Sequence, residues 1–165
     1  MIKHILLVED DPRDVELTLA ALDEQTLAND VSVVNDGEEA LDYLYCRGKY
    51  EGRKEGPPVV VLLDLKMPKV SGLEVLKLMK ADEQLKTIPV VVLTSSREEP
   101  DLIESYKYGV NAYVVKPVDF AEFIKAVGRI GIFWAAINEP PPRLLREEAL
   151  RPRPAVAPLA LTEAA

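Results

Sequence analysis

The stretch Val59-Val60-Val61-Leu62-Leu63-Asp64-Leu65-Lys66-Met67-Pro68-Lys69-Val70-Ser71-Gly72 decides the fold. Its first five residues form an apolar run of strand length without alternation, the pattern of a strand buried on both faces in a parallel sheet. The run stops at a carboxylate, Asp64. Pro68 and Gly72 then break the chain before a helix with Leu73, Leu76 and Met79 turned inward. The same grammar recurs on either side. Ile5–Val8 is apolar and stops at Glu9-Asp10-Asp11, and Asp11-Pro12 reads as a helix N-cap followed by proline at the first helical position. Val15, Leu19 and Leu22 continue at helical spacing. Val31–Val34 ends at Asn35-Asp36-Gly37 and leads into a helix over 38–45 with Ala40, Leu41 and Leu44 on one side. A fourth strand over 90–93 ends at Thr94-Ser95-Ser96, and a helix over 100–107 stops at Gly109. Ala112–Val115 ends at Lys116-Pro117, and a last helix runs from about 119 to 137. Five strand–helix alternations predict an α/β fold, a five-stranded parallel sheet covered by helices on both faces with right-handed crossovers.

The bulk properties bound the rest. A length of 165 residues fits one domain with an appendage. After Asn138 the chain turns proline-rich, so residues 1–138 are read as the domain and 139–165 as a largely disordered tail, with room for two helical turns over 143–150. A net charge of −8 argues against nonspecific binding to nucleic acid. A lone Cys46 cannot form an internal disulfide, so a reducing cytoplasm is expected. The chain opens without a leader pattern, and its apolar stretches are of strand length, so no membrane span is expected.

In a parallel sheet all strand C-termini meet at one edge, where ligands bind. Strand one brings Glu9 and Asp10 to that edge, strand three Asp64, strand four Thr94 and strand five Lys116. Converging carboxylates repel one another unless a cation joins them. Hard oxygen ligands suit Mg²⁺, which takes one or two carboxylates plus phosphate oxygens. An ammonium and a hydroxyl opposite would bind the remaining oxygens of a phosphoryl group, whose transfer depends on positioning and charge neutralisation.

Glu9-Asp10, Leu63-Asp64-Leu65-Lys66-Met67-Pro68, Thr94-Ser95 and Val115-Lys116-Pro117 resemble the signature of response-regulator receiver domains. The resemblance covers residues 1 to about 137. It implies a flavodoxin-like (βα)5 fold with strand order 2-1-3-4-5. Asp64 would accept phosphate from a histidine kinase. Asp10 and Asp64 would bind Mg²⁺ by side chain, Lys66 by its backbone carbonyl and Glu9 through water. Lys116 would hold a phosphoryl oxygen, and Thr94 would swing towards another. Tyr113 stands where the family has its switch aromatic, turning inward as Thr94 moves. The family analogy also implies a cis Lys116–Pro117 bond. A protein of this kind is a signalling partner with only intrinsic phosphorylation chemistry, not an enzyme.

Other residues read more plainly. Asp11 is an N-cap rather than a metal ligand, and Asp36 is turn chemistry. His4, the only histidine, opens a strand without a second zinc ligand beside it. Cys46 packs at a helix end. The side chain of Lys66, beside Asp64, is expected to affect phosphate lifetime. A dehalogenase-type phosphatase would need an Asp where Lys66 stands, and a dinucleotide-binding turn would need glycines where Glu9-Asp10-Asp11-Pro12 stands.

No DNA-binding module is recognisable after the receiver, so output is expected through protein contacts. In the last helix Phe120, Phe123, Ile124, Val127, Trp134 and Ile137 are expected to cover the sheet. Ile132 and Phe133 flank the opposite side, and Ile132, Phe133 and Trp134 are read as a homodimer interface, with a folded-back tail as the alternative. The insertion over 46–58, the long last helix and Asn138-Glu139-Pro140-Pro141-Pro142 resemble the regulators paired with bacterial phytochrome kinases. A phosphate sink or relay shuttle for a different hybrid kinase is the competing role. The insertion is either a partner contact or a tolerated surface loop.

Overall fold

Because side chains alternate along a strand, a strand apolar at every position feeds two cores at once. In the computed structural model, which describes residues 3–27 and 30–142, this is how the sheet is built. The elements are β1 (Ile5–Val8), α1 (Pro12–Asp23), β2 (Val31–Val34), α2 (Gly37–Leu44), β3 (Val60–Leu63), α3 (Gly72–Ala81), β4 (Val90–Thr94), α4 (Glu99–Lys107), β5 (Ala112–Val115) and α5 (Phe120–Ile132). The strands are all parallel in the order β2-β1-β3-β4-β5, as expected. Leu6, Val8, Val61, Leu63, Val90 and Val92 point into a layer closed by Leu44 of α2 and Leu76 and Met79 of α3. Ile5, Leu7, Val60, Leu62, Val91 and Leu93 point the other way, into a layer closed by Leu22 of α1 and Phe123 and Val127 of α5. Each fully buried Val or Leu contributes about 1.5–3 kcal/mol, so the three central strands anchor the fold.

The helix starts follow from capping chemistry. Asp11, Asp36, Ser71 and Asp119 each accept a hydrogen bond from a backbone N–H two or three residues on, at 2.7–3.3 Å. Asp11 is therefore a cap, as its sequence context implies, and Asp36, read from the sequence as turn chemistry, caps α2 as well.

Packing departs from the periodic reading in three helices. Val75 is buried with Leu76 and Met79 while Leu73 is only half-buried, and in α1 Thr18 is buried where Leu19 is half-buried. The expected stripe on the last helix is interrupted, because Phe120 and Ile137 are 58% and 68% exposed. The cause is local. Residues Phe133–Ile137 widen into a π turn, closed by a 2.6 Å bond from Asn138 N–H to the Phe133 carbonyl. The wider turn shifts the helical phase, so Ala135 takes the buried position and Trp134 is half-buried.

The insertion after α2 is pinned to that helix. The Arg53 guanidinium lies 4.0 Å over the Tyr43 ring and donates twice to the Tyr43 carbonyl, at 3.1 and 3.2 Å. Tyr50 and Lys49 both reach Glu39, at 2.6 and 2.7 Å. Buried His4 hydrogen-bonds the Tyr43 hydroxyl from the sheet side. The turns expected over 143–150, and most of the tail, lie outside the described residues. Among the described residues no helix is long and apolar enough to cross a membrane.

Candidate functional site

Parallel register places the strand ends side by side: Val8 pairs Leu63, and Thr94 pairs Val115. The residues that follow these ends therefore share one edge. Carboxylate oxygens of Glu9, Asp10 and Asp64 lie within 4.8 Å of one another. Glu9 and Asp64 are buried, and Asp10 is more open to solvent. From β5, the Lys116 ammonium reaches 2.6 Å from Glu9 Oε2 and 3.7 Å from Asp64 Oδ2.

The loop after β3 sets the aim of Asp64. Leu65 N–H donates to Asp64 Oδ1 at 2.8 Å, and Gly72 N–H closes the loop on the Leu65 carbonyl at 3.0 Å. Gly72 is required by this approach, since a Cβ there would stand 2.0 Å from the Asp64 carbonyl oxygen. Lys69, midway through the loop, has φ of +64°.

Burial pushes the Glu9 carboxyl above its ordinary range, with Lys116 opposing. Burial also acts to lower Lys116, but Asp14 and Glu9 outweigh it and leave the ammonium more firmly protonated than a free lysine. Three carboxylates against one ammonium leave a local excess of negative charge. The donors are hard oxygens on strand ends, and their mutual approach matches the coordination sphere of a divalent cation. Glu9, Asp10 and Asp64 thus fit a metal site.

Thr94 is fully buried, and its hydroxyl accepts from Ser96 N–H at 3.3 Å. The half-buried Tyr113 donates its hydroxyl to the Ser96 carbonyl at 3.0 Å. Both residues expected to switch therefore converge on Ser96, whose own hydroxyl bonds buried Asp101 of α4 at 2.5 Å. The Lys66 side chain leans to the same place, 3.2 Å from Asp101 and 3.7 Å from Glu98.

Two findings depart from the sequence reading. No peptide bond among the described residues is cis, so Lys116–Pro117 is trans, the isomer an X–Pro bond ordinarily favours. Asp14 of α1, which strand-end logic does not single out, binds Lys116 at 2.8 Å. Its only sequence signal is an acidic residue in a first helical turn, a common complement to the helix dipole. At the end of α5, Phe133 is 46% exposed and packs edge-on against half-buried Trp134 at 5.1 Å, beside half-buried Ile132.

The response regulator receiver domain model matches residues 5–128. Response regulator Rcp1 of Synechocystis sp. is 41% identical over 132 residues, which span 80% of this chain and 88% of the relative. The probable methanogenesis regulatory protein FilR2 of Methanothrix harundinacea is 40% identical over 137 residues, spanning 83% and 86%. Among solved structures, the bacteriophytochrome response regulator AtBRR is 60% identical with a TM-score of 0.68, covering 84% of this chain and 99% of that one. The Mn(2+)-bound form of Rcp1 is 39% identical with a TM-score of 0.79, covering 85% and 99%.

Proposed function

This chain belongs to the response regulator receiver family, and on that premise we propose that Asp64 accepts a phosphoryl group from a histidine kinase in a Mg²⁺-dependent reaction. The observation that carries the reading is the meeting of three carboxylates within 4.8 Å, with the Lys116 ammonium 3.7 Å from Asp64. Asp64 is held by the Leu65 N–H on Oδ1, and Oδ2, which faces the Lys116 ammonium at 3.7 Å, attacks phosphorus in line. Asp10 and Asp64 would hold the ion by side chain, Glu9 through water and Lys66 through its carbonyl. A bound ion would supply charge neutralisation for the phosphoryl oxygens. Lys116 binds one of those oxygens and Thr94 another. As Thr94 turns, its bond to Ser96 N–H breaks, and Tyr113, held to the same residue, is released to move inward. The consequence is a changed surface over α4, β5 and α5.

The kinase is of the bacterial phytochrome class, and the protein acts in the cytoplasm. The 60% identity to a bacteriophytochrome response regulator supports the pairing. Output runs through a homodimer that uses Ile132, Phe133 and Trp134, supported by the exposure of Phe133 at the end of α5.

The test is phosphotransfer from a bacteriophytochrome kinase in its two light states, with Mg²⁺ and with chelator, alongside sedimentation at micromolar concentration. Light-dependent, chelator-sensitive transfer to a dimer is expected. Equal transfer in both light states would remove the photosensory assignment. Back-transfer as the dominant fate would favour the shuttle role. A monomer with and without phosphate would remove the dimer.

A further inference from the structure

Lys116 has three N–H donors and three acidic neighbours. Glu9 and Asp14 hold it at hydrogen-bonding distance, 2.6 and 2.8 Å, whereas Asp64 stands off at 3.7 Å. Of these three, Glu9 and Asp64 belong to the cluster that fits a metal ion, and Asp14 does not. With an ion in place, Glu9 and Asp64 share their charge with it, and Asp14 alone keeps a full negative charge directed at Lys116. Asp14 is set rigidly for this: it lies in the first turn of α1, behind the Asp11 cap. The pair also borders a cavity of about 290 Å³ walled by Leu17, Ser95, Pro117 and Phe120. Those mainly apolar walls offer the ammonium few other partners.

We propose that Asp14 is a positioning residue that restrains Lys116 on the side away from Asp64, so that an incoming phosphoryl group must compete with Asp14 for the ammonium. The inference rests on Asp64 being the acceptor. Asp14 stands outside the carboxylate cluster at Asp64, and it acts through Lys116. A carboxylate so placed also repels an anionic donor directly. Neutralising it leaves Lys116 free to turn to the donor in the ground state and the transition state alike, which lowers KM and leaves kcat near its original value.

Acetyl phosphate with Mg²⁺ is a suitable probe. One Asp64 oxygen forms the bond to phosphorus, the bond from phosphorus to the acetyl oxygen breaks, and acetate leaves with the electron pair. No proton or oxidant is needed. Asp14→Asn is expected to lower KM for acetyl phosphate about fivefold with kcat changed by less than about twofold, a size suited to one partly exposed charge. Asp14→Ser, which also lacks the charge, should move KM in the same direction, and Asp14→Glu should restore the original KM. An unchanged or higher KM in Asp14→Asn and Asp14→Ser overturns the proposal, as does a Glu variant that behaves like Asn. A different failure marks the premise. If the unsubstituted protein takes no phosphoryl group, or Asp64→Asn takes as much, the acceptor assignment falls and this inference with it.

Discussion

Asp10→Asn should stabilise the metal-free protein while removing its response to Mg²⁺. Lys116 hydrogen-bonds Glu9 at 2.6 Å and lies 3.7 Å from Asp64, but among the described residues no ion pair reaches Asp10. Asp10 therefore adds a carboxylate within 4.8 Å of two others without neutralisation of its own. Two like charges at that separation repel by about 1 kcal/mol at the dielectric of water and about 3.5 kcal/mol at an effective dielectric of 20. Asp10 is open to solvent, so the lower part of that range applies, about 1–2 kcal/mol. For a chain of this size the melting temperature should rise by about 2–8 °C. Mg²⁺ narrows this difference, because it stabilises the unsubstituted protein more than the variant. At Mg²⁺ about tenfold above its dissociation constant the unsubstituted protein gains about 1.4 kcal/mol, and the variant, short of one ligand, gains much less. The assay is thermal unfolding followed by circular dichroism, with chelator and then with Mg²⁺. If Asp10→Asn melts at or below the unsubstituted protein in chelator, the picture of an uncompensated acidic cluster is wrong.

Three further outcomes are expected. Gly72→Ala places a Cβ 2.0 Å from the Asp64 carbonyl oxygen and 2.7 Å from Leu65 Cα, so the β3–α3 loop must shift. The cost is about 2 kcal/mol, and the melting temperature falls by about 4–8 °C; an unaltered melt would mean that the loop yields freely. Burial, reinforced by Arg53, holds His4 below its ordinary value of 6.5. The folded state then binds fewer protons than the unfolded one, so this contribution is complete above pH 6.5 and is lost as pH falls through the lower folded value. Subtracting His4→Gln denaturation curves from those of the unsubstituted protein should isolate a stability difference that declines from pH 7 towards pH 5; a flat difference would contradict it. Lys66 is exposed and held towards α4 by Asp101, and Lys66→Asn shortens the side chain beside the acyl phosphate. Loss of phosphate from Asp64 should quicken about threefold, a barrier change of about 0.7 kcal/mol, and an unchanged half-life would show that Lys66 has no part in it.

The fold was legible because the strands are short, mainly apolar runs that end in polar residues. Glu9, Asp10, Asp64, Thr94 and Lys116 were legible for the same reason: a parallel sheet brings all its strand ends to one edge, so position in the strand decides position in space. Asp14 obeys no such rule. It sits on a helix and meets Lys116 across 102 positions of sequence, and only the crossing of α1 over that edge brings the two together. Ser96 and Asp101 are similar, since a 2.5 Å contact between a loop hydroxyl and a helix carboxylate leaves no periodic trace. The α5 stripe misled at its C-terminal end because helical spacing assumes a constant turn, and the π turn at Phe133 breaks that assumption.

The central claim concerns a single carboxylate, and the most direct test locates the phosphoryl group. The protein would be phosphorylated in the presence of Mg²⁺, cleaved under conditions that preserve acyl phosphates, and mapped by tandem mass spectrometry beside Asp64→Asn. The account predicts one added phosphoryl group on the peptide that contains Asp64 and none anywhere in Asp64→Asn. A phosphoryl group carried on another residue of the unsubstituted protein, with Asp64 unmodified, would contradict it.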